Sequence, residues 1–133
     1  MKKLAVVIGM VLVAVLLLAG CTTETEENKG YIDVTAAEAK DLIDNNEDLV
    51  IIDVSPHYDD GHIPGAIHLR ISDGSLDDAI PSLNMTKKYL VYCHADAPSI
   101  SGANKLVEAG FDPVYRLIGN YQAWVDAGYD IET

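Results

Sequence analysis

The sequence predicts one small α/β domain in which a parallel sheet lies between helices. Short apolar runs, Leu49-Val50-Ile51-Ile52 and Tyr89-Leu90-Val91-Tyr92, are continuous rather than alternating, as in strands buried on both faces. Segments of helical period separate the strands at a spacing that implies parallel pairing. Residues 21–133 are long enough for one domain and too short for two, and the domain, residues 31–133, contains no internal repeat.

Tyr31-Ile32-Asp33-Val34 reads as a first strand, and Thr35-Ala36-Ala37-Glu38 as a capping box opening a helix. Ala39, Leu42 and Ile43 form that helix's apolar face, and Asn45-Asn46 ends it. The run at 49–52 is the second strand, broken by Asp53-Val54-Ser55-Pro56, with one helical turn expected over 56–60. His62-Ile63-Pro64-Gly65-Ala66 is a turn, 67–71 a short strand, and Ser75 the cap of a brief helix over 76–80. The strand Tyr89–Tyr92 runs into Cys93, a loop at 94–99, and a helix that continues through Lys105 until Gly110 stops it. Val114-Tyr115-Arg116-Leu117 is the last strand. Gly119 or Asn120 then opens a helix with Tyr121, Trp124 and Val125 at core-compatible spacing, and Gly128 closes it.

Residues 1–20 lie outside this fold. Lys2 and Lys3 precede an uncharged apolar run, 4–19, shorter than the about 20 residues of a spanning helix and suited to an export signal. The run ends Leu18-Ala19-Gly20-Cys21, which is similar to the lipobox of exported lipoproteins, whose cysteine is lipidated after cleavage. An uncleaved anchor is the alternative, and both readings place the domain outside the cytoplasmic membrane. Residues 21–30 read as a flexible tether. Loss of Lys2 and Lys3 takes the formal charge from −12 to −14. Such acidity argues against nucleic acid as a partner and leaves acyl chains as the means of membrane attachment. With Cys21 lipidated, Cys93 has no disulfide partner.

Cys93 is therefore the candidate nucleophile. It ends a buried strand, where ligands of open α/β sheets bind. The amides of the following loop and helix start carry partial positive charge, which favours a partly exposed thiolate.

Several segments together resemble the rhodanese family. Val50-Ile51-Ile52-Asp53-Val54 with Tyr58 and Gly61-His62-Ile63-Pro64-Gly65-Ala66-Ile67 is similar to the first signature of rhodanese-like domains. Leu90-Val91-Tyr92-Cys93 with Ser99 and Ala109-Gly110-Phe111 is similar to their active-site strand, loop and helix. Val114 to Gly119, Trp124 and Ala127-Gly128 are similar to their last strand and helix. The resemblance implies a three-layer domain with a five-stranded parallel sheet flanked by helices. It also implies sulfur transfer through a persulfide on Cys93, from a small sulfane-sulfur donor to a thiol or cyanide acceptor, with no cofactor. The amides of His94, Ala95, Asp96, Ala97 and Ser99 would cradle the outer sulfur, and Ser99 would cap the helix behind them.

The loop departs from the family's common Cys-Arg-x-Gly-x-Arg-Ser. Here it is Cys93-His94-Ala95-Asp96-Ala97-Pro98-Ser99: both arginine positions are lost, Asp96 replaces the glycine, and Pro98 removes an amide donor. The arginine usual after the Asp-Val pair is also missing. A carboxylate about 6 Å from the thiolate costs roughly 2–3 kcal/mol at an effective dielectric of about 20. A helix terminus returns about 0.3–1 kcal/mol. The loop therefore predicts a weakened site for anionic donors, and the alternative function is a rhodanese-like binding module without turnover. The sequence does not identify a protein partner. A Cys-x5-Arg phosphatase is rejected because Pro98 and Ser99 stand where its arginine would be. A metal site is not expected: Cys93-His94, His57, His62 and His68 lack paired ligand spacing. His62 and Asp53 read as hydrogen-bonded structural residues, and His57 and His68 as surface or strand-edge ones.

Overall fold

The computed structural model describes residues 30–133. The signal segment, Cys21 and the tether up to residue 29 lie outside the described residues. Strands β1 (Ile32–Val34), β2 (Val50–Asp53), β3 (Ile67–His68), β4 (Tyr89–Tyr92) and β5 (Val114–Leu117) form one sheet in the order β1-β5-β4-β2-β3, and every pairing is parallel. Helices α1 (Ala36–Asn45), α2 (Ser75–Ala79), α3 (Asp96–Glu108) and α4 (Asn120–Asp126) complete the expected architecture. No helix of the described residues is long and apolar enough to cross a membrane.

The period of two along β4 divides the core. Tyr89, Val91 and Cys93 join one layer with Leu76 of α2 and Ala103 and Leu106 of α3. Leu90 and Tyr92 join the other, with Ala39 of α1 and Trp124 of α4. A sheet covered on both faces needs apolar residues along its central strands, which is why β4 is an unbroken apolar run and β2 is apolar up to Asp53. Gly102 brings α3 close to the sheet: a Cβ there would lie 3.2 Å from Val54 Cγ1 and 3.3 Å from Val91 Cγ1.

The expected capping box is present, with Glu38 N donating to Thr35 Oγ1 at 3.1 Å and Thr35 N to Glu38 Oε1 at 2.8 Å. The expected turn after β2 is a 3-10 turn over Tyr58–Asp60. Four expectations need correction. β3 is only two residues long, because the chain turns at Ile71. Ser75 does not cap α2 but begins it; Gly74, left-handed at φ 86°, takes the cap position, and Asp73 Oδ1 receives the Ser75 amide. α3 begins at Asp96 rather than after a loop to 99, since Pro98 is compatible with a first helical turn. Val125 is 39% exposed and outside the core, whereas Trp124 is buried.

β2 continues to its neighbour β3 on one side and β4 to β5 on the other. The carboxyl ends of β2 and β4 thus flank a switch point, the place where such sheets bind ligands.

Candidate active site

Cys93 follows β4, the central strand, and α3 starts three residues later. The thiol was expected to be partly exposed, but the residue is 2% exposed. The cause is the alternation that buries Tyr89 and Val91: two residues on, Cys93 projects into the same layer. It is a free cysteine. Its backbone is held at both polar atoms by the β5–α4 junction. The Cys93 amide donates to Asn120 Oδ1 at 3.2 Å, and the Tyr121 amide donates to the Cys93 carbonyl at 3.0 Å.

The first turn of α3 includes Asp96, Ala97 and Ser99 and has no side-chain cap. The first amides of a helix lack intrahelical acceptors, so this end favours an anion or an electron-rich sulfur. Ser99 was expected to cap the helix. It is instead a buried first-turn residue whose hydroxyl donates to the Asp96 carbonyl at 2.9 Å and accepts from Arg116 Nη1 at 3.2 Å.

Asp96 was expected to stand uncompensated beside the thiolate, but two side chains hold it. Its Oδ1 accepts from Arg116 Nη1 at 3.2 Å and from Asn120 Nδ2 at 2.9 Å. Arg116 also donates through Nε to Asp33 Oδ1 at 2.8 Å, across the β1–β5 pairing that sets Asp33 opposite Arg116. Burial works against the guanidinium charge. The hydrogen bond and attraction to Asp33, then the bond to Asp96, outweigh it and hold the Arg116 pKa above its ordinary value.

His94 lies beside a second polar cluster. Its ring stacks on Tyr121 at 4.6 Å and is 5.2 Å from the His57 ring. Burial lowers the His94 pKa; Asp53 opposes this, His57 adds to it, and Asp60 opposes it. His94 therefore does not stand in for a lost arginine near neutral pH. Among the described residues, His94 Nε2 and Asp53 Oδ2 are buried without hydrogen-bond partners. Asp53 Oδ1 accepts from the Ser55 amide at 2.8 Å, as its structural reading anticipated. His62 is likewise structural: buried, with Nδ1 2.9 Å from the Tyr58 carbonyl and its ring stacked on Tyr58. His57 and His68 are exposed, as expected.

The structure thus groups Cys93, His94, Ala95, Asp96, Ala97 and Ser99 at one strand-to-helix junction. The sequence reading missed Arg116, Asn120 and Asp33 as members of this site. An arginine inside the otherwise apolar run at 114–117 was the one available signal, since a charge in a buried strand needs a partner.

The chain is similar to known proteins along most of its length. The family description "Rhodanese-like domain" matches residues 35–127. The thiosulfate sulfurtransferase GlpE of Coxiella burnetii (strain RSA 331 / Henzerling II) is 36% identical over 96 residues, 71% of this chain and 87% of that protein. Among solved structures, the Alr3790 protein of Anabaena sp. has a TM-score of 0.67 at 31% identity, covering 74% of this chain and 81% of that one. RPA3614 of Rhodopseudomonas palustris CGA009, described as a possible tyrosine phosphatase, also has a TM-score of 0.67, at 28% identity over 86% of this chain and all of that one. The family match, the relative and the shared fold together establish that this chain belongs to the rhodanese-like domain family, which includes sulfurtransferases.

Proposed function

We propose that this protein is a sulfurtransferase in which Cys93 carries the transferred sulfur as a persulfide. The observation that carries the reading is the placement of the free thiol of Cys93 at the end of the central strand, before the uncapped start of a thirteen-residue helix. The Cys93 thiolate attacks the sulfane sulfur of a donor. A bond forms between Sγ and that sulfur, and the donor's own bond to it breaks, its electron pair leaving as a thiolate or as sulfite. An acceptor thiol, having lost its proton to solvent, then attacks the outer sulfur, and Cys93 leaves as thiolate. No net oxidant or reductant is needed.

The preferred donor is small and carries little charge. The residue is 2% exposed, so the sulfur is approached by a terminal atom rather than by a bulky chain. The arginine of the loop network, Arg116, is already engaged by Asp33 and Asp96, and burial lowers the pKa of His94 and so disfavours its charged form. A persulfide anion suits this site better than doubly charged thiosulfate, the substrate named for the Coxiella relative. The protein acts outside the cytoplasmic membrane, anchored by lipid on Cys21; a Cys21→Ser chain is then released from the membrane fraction.

Burial of Cys93 favours one other reading, a binding module without turnover. Intact-mass measurement of the full chain after incubation with thiosulfate, and separately with a low-molecular-weight persulfide, distinguishes the two. One added sulfur atom, absent from Cys93→Ser and greater with the persulfide, is expected. No added sulfur from either donor leaves the binding module.

A further inference from the structure

We infer that Asn120 is a positioning residue for Cys93, acting by fixing the cysteine's backbone while holding the Asp96 carboxylate in its clamp with Arg116. The inference rests on the sulfur-carrier reading of Cys93 only for its consequence on turnover; the geometry stands by itself.

Asn120 is the only non-glycine residue with positive φ among the described residues, at 59°. Asparagine tolerates this left-handed conformation better than most side chains. Gly119 before it is also left-handed, at φ 78°, so the chain makes two left-handed steps as it leaves β5. The turn brings the Asn120 side chain, 4% exposed as a residue, to the end of β4. There its two ends do different work. Oδ1 accepts from the Cys93 amide at 3.2 Å, and Nδ2 donates to Asp96 Oδ1 at 2.9 Å. The next amide, that of Tyr121, holds the Cys93 carbonyl. One side chain therefore links the nucleophile's backbone to the acidic residue that replaces the glycine common in the family's loop.

This arrangement accounts for an aspartate in a loop that must support a thiolate. Asp96 Oδ1 receives both Arg116 Nη1 and Asn120 Nδ2, and the Asp96 side chain is 70% exposed. Without Asn120 the carboxylate keeps only a 3.2 Å contact to Arg116 and is freer to turn, while the Cys93 amide loses its acceptor. The charged groups around this junction are Asp96 on α3, Arg116 on β5 and Asp33 on β1, with His94 and Asp53 beside the neighbouring Tyr121.

Asn120→Gly tests the role cleanly, because glycine accepts positive φ without strain and removes only the side chain. The readout is the pH profile of Cys93 alkylation by a small neutral reagent on the full chain, with Cys93→Ser subtracted as background. Alkylation of Asn120→Gly near neutral pH is expected to fall by about threefold, with its rise displaced to higher pH, because the Asp96 carboxylate keeps only Arg116 and is freer to turn towards the thiolate. Asp96→Asn combined with Asn120→Gly is expected to recover most of the loss. Asn120→Asp, which sets a carboxylate against Asp96, is expected to fall further than the glycine variant. Sulfur loading should follow the same order through kcat rather than KM. An unchanged alkylation profile in Asn120→Gly, or a loss that Asp96→Asn does not relieve, overturns the inference. Should Asn120→Gly unfold, the order of Asn120→Asp and Asp96→Asn/Asn120→Asp decides the matter by the same criterion. Failure of the wild-type chain to take up sulfur would sink the carrier reading while leaving the alkylation result intact.

Discussion

Replacing Arg116 with methionine removes the charge at the centre of the loop network while keeping a long side chain to fill the space. Arg116 Nε donates to Asp33 at 2.8 Å, and Nη1 contacts Asp96 and Ser99 Oγ, each at 3.2 Å. The two acids differ in what they lose. The Asp96 side chain is 70% exposed and can turn to water, so that pair is worth about 0–1 kcal/mol. The Asp33 side chain is 28% exposed, and loss of its charged hydrogen bond costs about 1.5–3 kcal/mol. Relief of guanidinium burial returns part of this, so the net destabilisation is about 1–3 kcal/mol. For a domain of this size each kcal/mol lowers Tm by about 4–8 °C. The assay is thermal and urea unfolding of the full chain followed by circular dichroism, comparing Arg116→Met, Asp33→Asn and the double variant. The double variant should be more stable than the sum of the two single losses predicts, because neither charge is then left behind. An Arg116→Met chain within about 0.5 kcal/mol of wild type, a loss typical of a surface substitution, refutes the reasoning.

Two further substitutions probe the neighbouring polar groups. Tyr92 is fully buried, and its hydroxyl accepts from the Ile63 amide at 2.9 Å, pinning the turn after the 3-10 segment; Tyr92→Phe should cost about 1–3 kcal/mol in urea unfolding. Burial, then the Asp53 carboxylate, raises the Tyr92 pKa above its ordinary 10.0. Stability present below pH 10.0 is therefore lost as pH rises beyond it, and the phenylalanine chain should lack that part of the alkaline loss. For His94 the sign is opposite. Its pKa lies below 6.5, mainly through burial, so the unfolded chain binds the proton first and stability falls as pH drops from 6.5 through the folded value. His94→Gln should flatten the acid side of a stability profile measured between about pH 5 and about pH 7.5, and an unchanged profile would count against the burial of His94 as its cause.

The parts of the fold that the sequence revealed are those whose signal is local. Tyr89–Tyr92 and Val114–Leu117 are observed as read, because strands covered on both faces are mostly apolar, with Arg116 the one charge in the second. The capping box at Thr35 and Glu38 is also local and was legible. β3 was overestimated because Leu69 and Ile71 are apolar and their amides still bond to Asp53 and Val54, although the ladder has ended. Burial of Cys93 could have been foreseen from its spacing to Tyr89 and Val91. The compensation of Asp96 could not: its partners lie 20 and 24 residues further along the chain and meet it only through the parallel register and the left-handed turn at Asn120. A loop judged alone looked hostile to a thiolate. In the folded chain its acid belongs to a network built from two other elements.

On the proposed reading, Cys93 works with backbone amides and a helix end rather than with free cationic side chains, which fixes the sign of a salt effect. The chain has a formal charge of −12, so a doubly charged donor is repelled at long range. Salt screens that repulsion, the Debye length shortening from about 30 Å at about 0.01 M to about 10 Å at about 0.1 M. Where arginines draw the donor in, added salt weakens loading. Here Arg116 is occupied by Asp33 and Asp96, so added salt should speed the slow loading of Cys93 from thiosulfate and change loading from an uncharged polysulfide donor by less than about twofold. Both rates can be followed by intact mass across that range. A thiosulfate rate that falls steeply with salt would reveal a cation in the approach to the thiol and refute this account.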